Sequence, residues 1–181
     1  MSAELEQRLI ALLREKSVRR GEFKLASGRT SDFYVDARQT TLHGEGSFIV
    51  GQLMLAKLRP DVVGIGGMTL GADPIACATA AVAFAAGRTL HAFLIRKEAK
   101  DHGTARVVEG LGNLPEGSPV AVIEDTTTTG ASLLKAVQRA REAGLDVVQC
   151  LTVVEREEGA TEALAAEGLR LVPLTTRSQL L

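Results

Sequence analysis

The chain opens with Leu5, Leu9, Leu12 and Leu13 at helical spacing, followed by a basic stretch from Arg14 to Arg20. Glu22 to Asp36 then reads as two short extended runs around Ser27-Gly28-Arg29, a hairpin-like hood. From there apolar, β-branched runs alternate with helical patterns. The pattern predicts a helix near Ser47 to Leu58, a strand Val62 to Gly66, an Ala-rich helix near Pro74 to Ala86 and a strand Leu90 to Ile95. After a polar stretch from Lys97 to Gly117 come a strand Val120 to Ile123, a helix Ser132 to Ala143, a strand Val147 to Val154, a helix Ala160 to Glu167 and a last strand Leu169 to Leu174. Such alternation predicts an α/β fold with a parallel sheet flanked by helices.

Length and composition fit one domain over residues 1–181, with a helix and hood in 1–40 and an α/β core in 41–181. Twenty-one basic against 22 acidic residues leave a net charge of -1, so no global field favours nucleic acid or an acidic membrane. An anion must be bound by a local cluster. Cys77 and Cys150 sit in apolar segments, outside any metal-binding spacing, and are expected to be buried. The first residues carry charges of both signs without a signal-peptide pattern, and no stretch suits a bilayer, which places the protein in the cytoplasm as an expectation.

Open α/β sheets bind ligands beyond the carboxyl ends of their strands, so the residues after Gly66, Ile95, Ile123 and Val154 are where chemistry is sought. The run after Ile123 is the most specific: Glu124-Asp125-Thr126-Thr127-Thr128-Thr129-Gly130-Ala131-Ser132. Successive N–H groups at a strand-to-helix turn form an anion nest, and threonine hydroxyls add donors for one phosphate monoester. Glu124 and Asp125 are suited to accept hydrogen bonds from sugar hydroxyls. An acid before threonines also serves as a plain helix cap, but two acids and four threonines exceed what a cap requires. No G-x-x-x-x-G-K-[ST] loop exists, and Gly64-Ile65-Gly66-Gly67 lacks the third glycine of a dinucleotide fingerprint.

This strand and its Glu-Asp-Thr-Thr-Thr-Thr-Gly sequel resemble the phosphoribosyl-pyrophosphate (PRPP) signature of type I phosphoribosyltransferases. The resemblance places a ribose 5-phosphate over Thr126 to Gly130, with Ala131 and Ser132 opening the helix behind it. It also implies a Rossmann-like fold with a small N-terminal hood.

Arg96-Lys97-Glu98-Ala99-Lys100-Asp101-His102-Gly103 gathers three cations and a histidine in an otherwise charge-balanced chain. A solvated loop is the ordinary meaning of such a run. Its spacing, however, resembles the catalytic loop of orotate phosphoribosyltransferases, a mobile lid here spanning about 97–110 that closes over the neighbouring subunit's site. The resemblance implies that Arg96, Lys97, Lys100 and His102 hold the leaving pyrophosphate, with Lys100, Lys97, His102 and Asp125 as the catalytic set. Stabilising charge that develops on a leaving group is the physical basis.

Phe23 to Arg38 resembles the same family's hood, which would set Phe33, Tyr34 and Lys24 against the pyrimidine. The family often has lysine before Ser-Gly, where this chain has Ala26. Ile65 to Pro74 matches the pyrophosphate loop, with Thr69 and Leu70 as contacts, but lacks a lysine that many relatives carry near Gly71. By the same resemblance Arg156 recognises the orotate carboxylate through its guanidinium fork, with Thr128 as a second contact. Pairing of Arg156 with Glu155, Glu157 or Glu158 is the competing account.

The implied reaction joins orotate to PRPP, giving orotidine 5'-monophosphate and pyrophosphate. Mg²⁺ is the implied cofactor, held through substrate and water with no direct protein ligand assigned, and a homodimer with shared sites is the implied assembly. A purine or uracil phosphoribosyltransferase, or a regulator that only binds PRPP, remains the rival reading. The latter needs a basic nucleic-acid surface, which the sequence does not show.

Overall fold

The structure is a computed structural model describing residues 2–24, 30–98 and 107–181. Helix α1 (Ser2–Leu12) ends in a π-helical turn, Leu13–Ser17, and leads into the antiparallel ribbon β1 (Val18–Lys24) and β2 (Thr30–Val35). Then follow α2 (Arg38–Thr41), α3 (Gly44–Lys57), β3 (Gly64–Met68), α4 (Asp73–Ala85), β4 (His91–Ile95) and β5 (Val108–Glu109). The remainder is β6 (Pro119–Thr127), α5 (Ala131–Glu142), β7 (Asp146–Glu155), α6 (Ala160–Ala166), β8 (Leu171–Thr176) and α7 (Arg177–Leu180).

Six strands form the main sheet in the order β5-β4-β3-β6-β7-β8. All pairs are parallel except β4 with β5. The expected parallel α/β sheet is therefore present, with the hood as a separate two-stranded ribbon.

The sheet is covered on both faces, which explains why its strands read as continuous apolar runs. Along β6, Ala121 and Ile123 join the core shared with Leu9, Leu53, Met54 and Ile75 from α1, α3 and α4. Val120 and Val122 point the other way, into a second core with Leu133, Val137 and Leu164 from α5 and α6. Each fully buried large aliphatic side chain contributes roughly 1.5–3 kcal/mol.

At the sheet centre, β3 is hemmed in by backbone. A methyl group at Gly66 would fall on the carbonyl oxygen of Phe93 in β4, and one at Gly67 on the carbonyl oxygen of Ile123 in β6. Only glycine permits this approach.

Several expectations are corrected. The ribbon starts at Val18, before Glu22, because β1 pairs with β2 from Val18 opposite Val35. The strand expected to end at Ile123 continues to Thr127: β7 keeps supplying ladder partners, with Glu124 opposite Thr152 and Thr127 opposite Glu155. Within the stretch 97–110, Val108 and Glu109 are an edge strand on β4. Cys150 is buried as expected, whereas Cys77 is exposed on α4.

Replacing Gly66 with alanine should destabilise the fold by about 1–3 kcal/mol, since the strands must part to admit the methyl group. Gly112→Ala, where nothing lies within 4 Å of the added carbon, should stay within about 0.5 kcal/mol of the parent. Denaturant unfolding of the two variants checks the contrast.

Candidate active site

The chain order reverses at the middle of the sheet. β4 lies on one side of β3 and β6 on the other, so the segments leaving the carboxyl ends of β3 and β6 diverge and leave a crevice between them. A cleft of about 450 Å³ occupies this position. Its floor is the end of β6, Glu124 to Thr126, and one wall is the turn Met68 to Gly71. Tyr34, Asp36 and Arg38 border it from the end of β2 and the start of α2, and Lys97 borders it from the end of β4.

Because Glu124 and Asp125 are adjacent on a strand, they cannot share one orientation. Burial pushes the Glu124 carboxyl up to about 7; the Ser132 hydroxyl opposes the rise and the Asp125 charge adds to it. Burial also raises Asp125, against the backbone N–H of Thr126 and the Arg38 guanidinium. The Thr126 N–H donates to Asp125 Oδ1 at 2.9 Å. An anion entering the cleft therefore meets a floor with less negative charge than its two acids suggest.

Gly71 completes the floor. A Cβ there would lie 2.6 Å from Asp125 Oδ1, so the absence of a side chain lets the β3 turn close on the acid. Thr69 and Leu70 stand in this turn, joined by a cis peptide, and Leu70 projects its side chain to solvent.

Beyond Thr127, Thr128 and Thr129 carry the chain to Gly130, and α5 starts at Ala131. The first N–H groups of α5 have no partners within the helix, which starts directly after the threonine turn, the arrangement an anion nest uses. Thr127 is fully buried, Thr128 half-buried and Thr129 exposed. Thr126 Oγ1 is buried without a hydrogen-bond partner among the described residues.

Not every expected residue is gathered here. Phe33 and Tyr34 are consecutive on β2 and so face opposite sides. Tyr34 reaches the cleft, while Phe33 is buried in the core and lies under Arg177, whose guanidinium carbon is 5.8 Å from the ring centre. Phe33 is therefore not a wall of the cleft. Arg96 stands outside it as well: its Nε donates to Glu109 at 2.8 Å, pinning β5 beside the end of β4. Lys100 and His102 lie outside the described residues. So does the Lys24 side chain, although its backbone pairs with Thr30.

Arg156 sits just past β7, its N–H donating to the Thr127 carbonyl at 2.9 Å. The side chain is buried, bonded to Glu158 at 2.9 Å, and its Nε has no hydrogen-bond partner among the described residues. A buried guanidinium with a donor to spare suits a further acceptor.

Three side chains were not assigned roles from the sequence. Asp36 and Arg38, paired at 2.8 Å, stand at the cleft rim, and the Arg38 charge acts on Asp125. Their only sequence signal is an Asp-x-Arg just past the hood's aromatics. Arg139, on α5, donates to the carbonyl oxygens of Arg96 and, at 3.0 Å, of Lys97. That contact spans more than forty residues and has no local signature.

No protein-family model matches the chain. Among curated proteins, the orotate phosphoribosyltransferase of Sorangium cellulosum is 47% identical over 173 residues, covering 94% of this chain and 90% of the relative. The Mycobacterium tuberculosis H37Rv orotate phosphoribosyltransferase, solved in complex with Fe(III) dicitrate, superposes with a TM-score of 0.83 at 44% identity, covering 97% of this chain and 98% of that one. The same enzyme in complex with PRPP gives a TM-score of 0.79 at 40% identity, covering 97% and 98%. With this identity running through nearly the full length of both partners, and with the acid-threonine turn at the switch of strand order, the chain belongs to the orotate phosphoribosyltransferases.

Proposed function

We infer that the chain transfers the ribose 5-phosphate of PRPP to orotate, giving orotidine 5'-monophosphate and pyrophosphate in pyrimidine biosynthesis. The observation that carries this reading is the end of β6, where two half-buried acids are followed by a threonine run and the start of α5, all beside the turn after β3. In this assignment the phosphate monoester sits over Thr126 to Gly130 and the first turn of α5. Glu124 and Asp125 accept from the ribose hydroxyls, and backbone amides around Thr69 and Leu70 meet the diphosphate.

The C1–O bond to pyrophosphate breaks as C1 bonds to the deprotonated N1 of orotate, and the bonding pair leaves with the pyrophosphate. Positive charge on the sugar faces Asp125 and Glu124, and Lys97 with Lys100 and His102 offsets charge on the leaving group. Tyr34 stacks beside the base, while Arg156 and Thr128 bind it. Arg156 Nε, buried and without a partner among the described residues, supports that role.

Among the described residues no group of three or more His, Cys, Asp and Glu side chains is arranged to hold a metal. Mg²⁺ carried in on the diphosphate would be held by substrate oxygens and water beside Glu124 and Asp125, and would supply positive charge to the leaving group. We also propose a cytoplasmic homodimer in which the segment about 97–110 serves the partner's site. Leu42 and Leu70, 70% and 72% exposed beside the cleft, support a covering neighbour. No helix among the described residues is long and apolar enough to cross a membrane.

Orotate absorbance should fall when the protein is mixed with orotate, PRPP and Mg²⁺, but not with EDTA added, and uracil should not be consumed. Full activity in EDTA would remove the metal from the reaction.

Lys100→Ala and Asp125→Asn should each lower kcat by roughly 10²-fold or more. If Lys100 serves the neighbouring site, refolding the two variants together should restore about a quarter of parental activity, because half the dimers are mixed and each holds one intact site. Recovery no greater than the sum of the separate variants would place Lys100 in its own subunit's site.

Glu124 gives a pH signature. As its carboxyl ionises near pH 7 it becomes the better acceptor for ribose hydroxyls, so kcat/KM for PRPP should rise through that pH, and Glu124→Gln should remove this inflection. Stability runs in the opposite direction: a carboxyl whose proton is held up to about 7, against an ordinary 4.5, stabilises the fold at low pH and loses that contribution as pH rises through 7. Glu124→Gln should therefore raise Tm relative to the parent at pH 8 and not at pH 4, as thermal melts at the two pH values will show.

A further inference from the structure

The turn that carries Arg156 is held in an uncommon shape. Glu157 has φ of +59°, and it is the only non-glycine residue with positive φ among the described residues. A side chain there is tolerated only when its surroundings enforce it. The enforcing contacts come from α7: Glu157 Oε2 accepts from the Ser178 N–H at 2.9 Å and from the Ser178 hydroxyl at 2.5 Å. The Ser178 hydroxyl holds the Glu157 carboxyl below its ordinary range, so it is charged at neutral pH and a strong acceptor.

On either side of Glu157 the turn is tied to other groups. Arg156 bonds Glu158 at 2.9 Å, and Glu155 accepts from the Thr161 hydroxyl at 2.6 Å. α7 is itself anchored to the root of the hood. Arg14 donates to the carbonyl oxygens of Gln179, at 2.8 Å, and Leu180, at 3.3 Å, and Arg177 lies over the Phe33 ring. Tyr34, next along β2, borders the cleft.

Glu157 and Ser178 are both exposed, where hydrogen bonds add little to the stability of a fold. Their joint effect is geometric: they fix the backbone on which Arg156 is mounted, relative to an element that also touches the hood. We propose that the Glu157–Ser178 contact is a positioning device that aims Arg156 at the base, so that Glu157 and Ser178 set orotate recognition without touching orotate. This rests on the assignment of Arg156 to the orotate carboxylate. A displacement of the guanidinium by a fraction of an ångström to an ångström is enough to weaken a forked contact.

Steady-state kinetics of Glu157→Ala, Ser178→Ala, Ser178→Thr and Arg156→Ala, with orotate and PRPP varied in turn, test the proposal. Glu157→Ala and Ser178→Ala should raise KM for orotate roughly tenfold, leave KM for PRPP within about twofold and shift Tm by no more than about 2 °C. Ser178→Thr keeps the hydroxyl and should restore the parental KM. Adding Glu157→Ala to Arg156→Ala should have no further effect on KM for orotate, because both act through one guanidinium.

If Arg156→Ala raises KM for orotate and Glu157→Ala does not, the positioning role is overturned while the base assignment stands. An unchanged KM for orotate in Arg156→Ala removes the base assignment, and the positioning role with it. Equal rises in both KM values, or additive effects in the double variant, would also overturn the role.

Discussion

At Gly66 and Gly67 the central strand runs between carbonyl oxygens of both neighbours, too near for any side chain. The strand order turns at this place, since β4 and β6 flank β3. Two segments therefore leave the sheet from almost one point and part immediately, and the crevice between them is the cleft. The same economy of volume recurs at Gly71, where the β3 turn meets Asp125. That last approach covers part of the Asp125 carboxyl, beside a Glu124 that burial holds at about 7.

The site is consequently built against the interest of the fold. Two adjacent carboxyls are drawn from water at the end of a strand whose earlier residues are wholly apolar. Conflict between local preference and global structure is expected where a surface is shaped for a ligand. The two apolar cores on the faces of the sheet hold β6 in place regardless. A hydroxyl and a guanidinium N–H without partners among the described residues, Thr126 Oγ1 and Arg156 Nε, are the complementary sign: polar capacity kept in reserve at a buried position.

Much of this was legible from the amino acids. Strands buried on both faces appear as unbroken apolar runs, and the acid-threonine segment after one of them stands out by composition alone. What was not legible depends on partners remote in sequence. β6 reaches Thr127 because β7 continues the ladder, although the apolar pattern stops at Ile123. Tyr34 and Phe33 look equivalent as neighbouring aromatics, and only the direction of the core separates them. The two-residue strand β5 is too short for any periodicity to register. Arg139 and Ser178 are an ordinary arginine on a helix and an ordinary serine near the end of the chain until the segments they bind are brought to them.

Arg139 joins two parts of the cleft through a single rigid element. α5 begins at the threonine turn and, eight residues later, presents a guanidinium to the carbonyl oxygens of Arg96 and Lys97. Since that length of helix spans about 12 Å, with side chains leaning back towards its start, α5 acts as a ruler between the anion nest and the root of the basic segment. The root of that segment is thus held from the helix as well as from the sheet, where the Arg96 N–H donates to the Val107 carbonyl. A residue gained or lost between Ala131 and Arg139 would turn and shift that guanidinium relative to the threonine turn, so the length of α5 sets the spacing between the two parts of the cleft.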